Sequence, residues 1–400
     1  MIVYEFKIKA QQNQYISINE SIRIWQFIRN KCVRFWMDSS PEDRVNNAAL
    51  CRYITTLYEE FPFVVNLNSM ARQASVERAW FAISRFYDNC KKKVAGKKGY
   101  PQFKKFSRSI EYKTSGWKLS GDRKYLTITD KTGIGTLKLI GTYDLNYYQL
   151  SQIKRVRLIR RADGYYAQFC IDQERLEDCT PTGQAIGLDV GLESFFTDSN
   201  GQKVENPRFL RKSERKLKTL QKRLSRTKKG SKNRRKAHNR LARKHLQVQR
   251  QRKDFAVKQA RCVSISNDIV AIENLNVKGL VRNHKLAKSI SDASWSMFRQ
   301  WLEYFCHVFS RELIIVNPAY TSQDCSSCGE RVKKSLSTRT HICKCGCVLD
   351  RDENAAINIL AKGLNTVGRT VINASGQTDL CSAGVSLQSK PTGRKKNPPL

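Results

Sequence analysis

Three carboxylates interrupt segments that are otherwise apolar. Asp189 lies within Ile186-Gly-Leu-Asp189-Val190, and Glu273 ends the run Asp268-Ile-Val-Ala-Ile-Glu273. Asp352 opens a helical stretch on the same face as Ala355, Ala356 and Ile359. A single acid at a strand end is commonly a satisfied structural residue. Charge in apolar surroundings is costly unless compensated, and three such acids in order point to a cation. Oxygen ligands suit hard divalent ions, and two Mg²⁺ ions ~3.5–4 Å apart can activate a water and stabilise the leaving oxygen of a phosphodiester. The five histidines form no Cys/His or Ser/His/Asp constellation that would offer another route. Asp350, just before the helix, is the expected N-cap. Asp352 then faces inward from the first turn, where the helix dipole favours the anion.

A second cluster is built from thiols. Cys325-Ser-Ser-Cys328-Gly and Cys343-Lys-Cys345-Gly-Cys347 bracket a polar stretch, and two such knuckles predict tetrahedral Zn²⁺. The second knuckle is Cys-x-Cys, one residue short of the usual spacing, so five thiols compete for four places with His341 nearby. The expected ligands are Cys325, Cys328, Cys343 and Cys345, with Cys347 as the alternative to Cys345. Four thiolates leave no open position for water, so this zinc is structural; its expected role is to pin a small ribbon, 325–347, beside Asp352. The other eight cysteines, Cys32, Cys170 and Cys262 among them, read as core residues.

Periodicity outlines the elements around these groups. Over 182–324 and 348–364, buried strands are expected at 183–191, 268–273 and 312–316. Trp295, Phe298, Leu302, Phe305 and Phe309 stripe a helix that Asp292 could cap, and a last helix covers 352–364. A strand with its hairpin, a strand with a terminal Glu and a helix with an inward Asp have the order of an RNase H-like α/β nuclease core. Inserted in it, at 205–262, is the most basic part of the chain. Between residues 208 and 261, 23 Lys and Arg face only Glu214 and Asp254, a net +21. Leu210, Leu217, Leu220 and Leu224 stripe one helix there, Leu241, Val248 and Phe255 another, with Lys229-Gly-Ser231 between. Two antiparallel helices with cationic outer faces follow. Upstream, 11–107 is helical: Ile22, Trp25, Ile28 and Cys32 recur at three to four residues, as do Val76, Trp80, Ile83 and Tyr87. Residues 1–10 and 108–181 alternate with period two and predict a β-barrel. The tail, 365–400, has the composition of a disordered segment.

The whole chain carries 73 Lys+Arg against 35 Asp+Glu over 400 residues, a net +38. Such a chain calls for a polyanion, of which nucleic acid is the usual one. At 40% hydrophobic and 10% aromatic it has the apolar mass for folded cores, which excludes a wholly disordered basic tail. No apolar run approaches the ~18–20 residues that span a bilayer, and the first residues lack a signal-peptide pattern, so no membrane partner is expected. Thirteen cysteines, an odd number, suit a reducing cytoplasm rather than a disulfide framework. Arg215, Lys222, Arg223 and Arg226 of the basic hairpin are expected to hold phosphates. Arg72 and Gln73 are candidate base readers. Tyr100, Phe103 and Phe106, set among Lys104 and Lys105, either stack on bases or join a core.

Together these segments resemble the TnpB family, transposon-encoded relatives of type V CRISPR effector nucleases. The resemblance is carried by Gly99-Tyr-Pro-Gln-Phe-Lys-Lys105, Gly187-Leu-Asp189-Val-Gly191, Ile272-Glu273-Asn-Leu275, Ser289-Ile-Ser-Asp-Ala-Ser-Trp295, Pro318-Ala-Tyr-Thr-Ser-Gln-Asp-Cys325-Ser-Ser-Cys328-Gly329 and Asp350-Arg-Asp352-Glu-Asn-Ala-Ala356. They occur in family order across nearly the whole chain. The resemblance implies a wedge-type β-barrel with an inserted helical recognition domain, followed by a split RuvC nuclease domain with an embedded zinc ribbon. It implies Asp189, Glu273 and Asp352 as the RuvC triad, with two Mg²⁺ ions. It also implies a guide RNA derived from the transposon end, and a target double-stranded DNA cut beside a short transposon-adjacent motif. A prokaryotic, nucleoid-associated setting with a separate transposase encoded nearby belongs to the same picture. The short second knuckle departs from the commonest family pattern. A RuvC-like transposase or junction nuclease without a guide, and a non-cleaving nucleic-acid-binding regulator, are the alternatives; the intact triad argues against the regulator.

Overall fold

A computed structural model describes residues 1–335 and 338–367. They fall into two compact units, Met1–Arg175 and a second that begins at Leu176, a division somewhat before the expected one at 181.

The first unit runs β1 (Ile2–Lys9), α1 (Gln12–Asp38), α2 (Asn47–Glu60), α3 (Ser69–Lys91), β2 (Ser109–Tyr112), β3 (Trp117–Leu119), β4 (Tyr125–Ile128), β5 (Gly135–Ile140), β6 (Ile153–Arg161) and β7 (Gly164–Ile171). Tyr4, Phe6 and Ile8 alternate inward on β1, and Ile18, Ile22, Trp25, Ile28 and Cys32 form the buried stripe of α1. The strands make one antiparallel sheet in the order β2-β6-β7-β1-β5-β4-β3. The expected barrel is therefore an open half-barrel. Its edge strand β2 packs on α1 and α3. One core runs through both strands and helices, and the helical insertion has no core of its own.

The second unit runs β8 (Ala185–Val190), β9 (Ser194–Asp198), β10 (Lys203–Glu205), α4 (Phe209–Ser225), α5 (Lys232–Ser266), β11 (Ile269–Glu273), α6 (Val277–Leu280), α7 (Ala287–Ala293), α8 (Trp295–Val308), β12 (Glu312–Val316), β13 (Thr340–Ile342), β14 (Val348–Asp350) and α9 (Arg351–Thr366). Its main sheet has the order β10-β9-β8-β11-β12, with β8, β11 and β12 parallel. α5 and α8 cover one face and α9 the other. The basic segment is the expected helix pair: Leu217 and Leu224 of α4 pack on Ala237 and Leu241 of α5.

Asp292 does not cap α8. Left-handed Ser294 (φ 59°) takes the N-cap position there, and Asp292 belongs to the preceding α7. Its carboxylate instead accepts from the N–H groups of Leu210 and Arg211, capping α4, and pairs with Arg252 of α5 at 2.8 Å. α9 extends into the expected tail as far as Thr366; residues 368–400 of that tail lie outside the described residues. No helix among the described residues is long and apolar enough to cross a membrane.

Candidate active site

Side chains alternate along a strand, so pairing register decides which acids share a face. Leu188 of β8 stands opposite Ile272 of β11. Asp189 and Glu273 follow at the C-terminal ends of these neighbouring parallel strands, on one face. Ile186, Leu188, Val270 and Ile272 point the other way, into the core with α5 and α8. The face that carries the acids meets α9, and the approach is close. A Cβ on Gly187 would lie 2.2 Å from the Ala356 carbonyl oxygen, and one on Gly363 would lie 2.9 Å from Ala271 Cβ. Asp352, one helical turn before Ala356, is thereby carried to Asp189.

Burial is the largest influence on two of these acids. Burial, then the charges of Glu273 and Asp352, raise the Asp189 carboxyl to about 8 against the pull of Arg351. Glu273 is buried and also raised, although the Thr321 hydroxyl donates to Oε1 and Lys362 acts in the opposite sense. Asp352 accepts from Arg351 at 3.0 and 3.1 Å. Arg339 stands 3.7 Å from its other oxygen while pairing with Glu193 at 2.6 Å. Asp350 caps α9 as expected, accepting from the N–H groups of Asp352 and Glu353. The donor set is all oxygen, which suits a hard divalent cation. Among the described residues only thiol-based groups bring three ligand atoms within 4.8 Å of one another; the carboxylates stand farther apart.

Three supporting residues were not singled out from the sequence. Thr321 holds Glu273, and its carbonyl accepts from Asn358 at 2.9 Å. Asn358 also donates to the Asp324 carbonyl at 2.7 Å, and Asn354 does so at 2.9 Å. Asn354 Oδ1 in turn accepts from Ser326 N–H. The available signal was two asparagines four residues apart on the apolar face of α9, since buried amides need partners.

Those asparagines clasp the base of the first cysteine knuckle. The Sγ atoms of Cys325, Cys328, Cys343 and Cys345 lie within 4.8 Å of one another. Burial raises the Cys325 thiol, but N–H donors of Cys328 and Ser327, with His341 and Cys345, bring it down to about 5, which favours the metal-binding thiolate. Buried His341, discounted in the sequence reading, forms a second close group with Cys325 and Cys347. Proximity to Asp352 is direct: β14 leads from the second knuckle to the α9 cap. Of the remaining cysteines, Cys32, Cys170 and Cys306 are buried; contrary to expectation, Cys51, Cys179 and Cys262 are half-buried and Cys90 is exposed. Cys90 sits on the last turn of α3, where the helix leaves the core. Cys381 lies outside the described residues.

Arg215, Lys222, Arg223 and Arg226 are exposed on the hairpin. Arg72 is not a free reader: its guanidinium stacks on Tyr58 at 4.3 Å. Gln73 is half-exposed, Lys104 and Lys105 exposed. The segment bearing these lysines is strapped to α1, where Asn30 exchanges two hydrogen bonds with Lys104 and Gln26 bridges Lys105 and Ser107. Tyr100, Phe103 and Phe106 stay outside the core, Phe106 at 85% exposure.

Residues 168–284 match the OrfB_IS605 family, described as "Probable transposase", and residues 295–359 match the Cas12f1-like TNB domain. A Streptomyces pristinaespiralis protein named "Putative RNA-guided DNA endonuclease" is 33% identical over 80% of this chain and 77% of its own length. The Escherichia coli K12 protein named "Putative RNA-guided DNA endonuclease InsQ" is 27% identical over 78% and 77%. In fold, the chain is similar to Cas12f1 as solved in a complex with sgRNA and target DNA, with a TM-score of 0.52, 14% identity, and 87% and 81% of the two chains covered.

Proposed function

This chain belongs to the TnpB family, and from that premise we propose that it is an RNA-guided DNA endonuclease of an insertion sequence, cutting target DNA beside a short transposon-adjacent motif. The observation that carries the reading is the placement of Asp189 and Glu273 at the ends of neighbouring parallel strands, on the face against which α9 brings Asp352. Three carboxylates on one face form an all-oxygen set that suits a hard divalent cation.

Asp189, Glu273 and Asp352 of this RuvC-like centre would hold two Mg²⁺ ions, which when bound supply a water of lowered pKa and stabilise charge on the leaving oxygen. The chain's own contribution is orientation. Thr321 fixes the Glu273 carboxylate, Asp350 sets the first turn of α9, and Arg351 donates twice to Asp352 Oδ1 and so fixes that carboxylate. Cys325, Cys328, Cys343 and Cys345 would hold a structural Zn²⁺ and fix the ribbon, and through Asp324 and the α9 asparagines the ribbon steadies the helix that bears Asp352. The cationic hairpin would follow guide or heteroduplex backbone. Gln73, with Lys104 and Lys105, would contribute to reading or holding the adjacent motif. The guide RNA would derive from the transposon end, and the enzyme would act at the nucleoid of a prokaryotic cell beside a separately encoded transposase.

The test pairs wild type with Asp189→Ala, each purified with RNA expressed from its flanking DNA, on a plasmid carrying the matched target. Wild type should linearise the plasmid, and the variant should bind it without cutting. The match to a family described as a transposase keeps strand transfer in view; joined rather than free product ends would favour it over hydrolysis.

A further inference from the structure

The two helices of the basic hairpin leave a groove of about 470 Å³ between them. Lys216, Leu220 and Arg223 line it from α4, and Arg240, Arg243 and Lys244 line it from α5. Steps of three and four residues put each set on one face of its helix. Leu220 is half-buried and packs on the hairpin's apolar core, so it forms the floor and the cations form two walls. Of the four hairpin residues expected to hold phosphates, Arg223 lines the groove; Arg215, Lys222 and Arg226 do not.

Charge selects the occupant. Five cations line the groove and no carboxylate does. The hairpin's two acids are committed elsewhere: Glu214 pairs with Lys218 and Lys288, each at 2.9 Å, and Asp254 with Lys258 at 2.9 Å. Lys244 donates to Gln247 Oε1 at 3.1 Å, and a neutral amide leaves the ammonium's charge uncancelled. Like charges gathered this way destabilise the helices that carry them, so the groove holds a repulsion that a bound polyanion relieves. Shape narrows the choice further. From Lys216 to Arg223 the groove runs ~10 Å, about three phosphates at the ~3.4 Å axial spacing of one nucleic-acid strand. Packed helices lie ~8–10 Å apart, so a trough of that width takes one strand's backbone. A flat lipid surface would not reach the Leu220 floor.

We infer that this groove seats one phosphodiester strand, with Arg223 of α4 and Arg240 of α5 holding its phosphates from opposite walls. The inference rests on the endonuclease reading above and deepens it: among the 23 hairpin cations it assigns the phosphate contacts to one face. The strand belongs to guide RNA or to target DNA, which share this chemistry and which the experiment separates. The repulsion gives the groove a signature that a structural role would not have. Neutralising its cations relieves the fold while it weakens binding.

The experiment uses the full chain and two double variants of equal charge change. Arg223→Gln with Arg240→Gln neutralises one cation on each wall; Lys229→Gln with Arg235→Gln, outside the groove, is the control. Fluorescence anisotropy between 0.15 and 1 M salt follows labelled guide RNA binding to the protein, and labelled target DNA binding to the protein–RNA complex. Each lost phosphate contact lowers the slope of log K against log salt by ~0.7–0.9. The groove variant should therefore lose ~1.4–1.8 in slope for at least one of the two ligands, about 10- to 30-fold in affinity at 0.15 M salt relative to 1 M. The ligand affected identifies the strand. The control should lose less than half as much slope, and the urea midpoint of the groove variant should equal or exceed that of wild type. Equal slope losses in the two variants, no loss in either, or a lowered midpoint in the groove variant would overturn the seat and leave the nuclease reading intact. A wild type that cuts nothing, while its groove variant shows the slope loss, would count against the nuclease reading and for the seat.

Discussion

Replacing Gly187 by Ala adds one methyl group and touches no carboxylate, yet it should disable the active centre. The new Cβ would stand 2.2 Å from the Ala356 carbonyl oxygen, 2.8 Å from the Leu360 nitrogen and 2.9 Å from Leu360 Cβ. The first two atoms close one turn of α9, so the methyl would press into a helical hydrogen bond that has no soft side chain to yield. Real Cβ contacts start near 3.0 Å, so the helix and strand must separate by at least 0.8 Å there. Over-packing of this kind costs ~1–3 kcal/mol. Because Asp352 lies one turn away on the same rigid helix, the displacement passes to the Asp189–Asp352 spacing, and a shift near 1 Å is worth ~10²-fold in rate. The assay is single-turnover cleavage of a matched target together with the urea midpoint of unfolding. Gly121→Ala serves as the control, because a Cβ there meets nothing within 4 Å. Gly187→Ala should be less stable, cut ~10²-fold more slowly and still bind target DNA. Stability and rate both within twofold of wild type would refute the direct seating of α9 on β8.

Two further predictions concern charge and metal. Buried Glu111 is pushed up by burial, but Arg157, Arg155 and Arg78 more than offset this and bring it to about 2, against an ordinary 4.5. Because the folded value is depressed, its contribution of ~3 kcal/mol is complete above about pH 4.5 and disappears as the pH falls toward 2. Glu111→Gln should therefore destabilise the chain at pH 7 by about that amount and flatten its stability between pH 4.5 and 2, read by denaturant titration; an unchanged acid profile would contradict the assignment. For zinc, Cys345→Ser should lower the bound metal severalfold by elemental analysis, and Cys347→Ser should retain it; the reverse result would transfer the fourth place to Cys347.

The chemistry-bearing residues were legible because their signals are local. An Asp inside Ile186–Val190, a Glu closing an apolar run, paired cysteine knuckles and 23 cations striped on two helices each announce themselves over a few turns of chain. Asp350 as a cap was equally local, since a cap acts on the next three residues. Asp292 marks the limit of that logic. Its neighbours along the chain suggested α8, but its carboxylate serves α4, more than eighty residues earlier, and Arg252 of α5. Thr321, Asn354 and Asn358 were silent for the same reason: a buried polar group is defined by a partner that only packing supplies. That β2 and β3 are left as unpaired edges, and that the segment bearing Phe106 is held on α1 by amide bonds, are likewise set by packing between distant segments. The amino-acid sequence by itself determined which groups carry the charge, the thiols and the apolar stripes, because these depend on composition and period. Only the tertiary structure decided that Asp189 and Glu273 share a face and that α9 rides close enough for Asp352 to join them. Strand register and the Gly187–Ala356 contact set those positions, and both are relations between segments far apart in the chain.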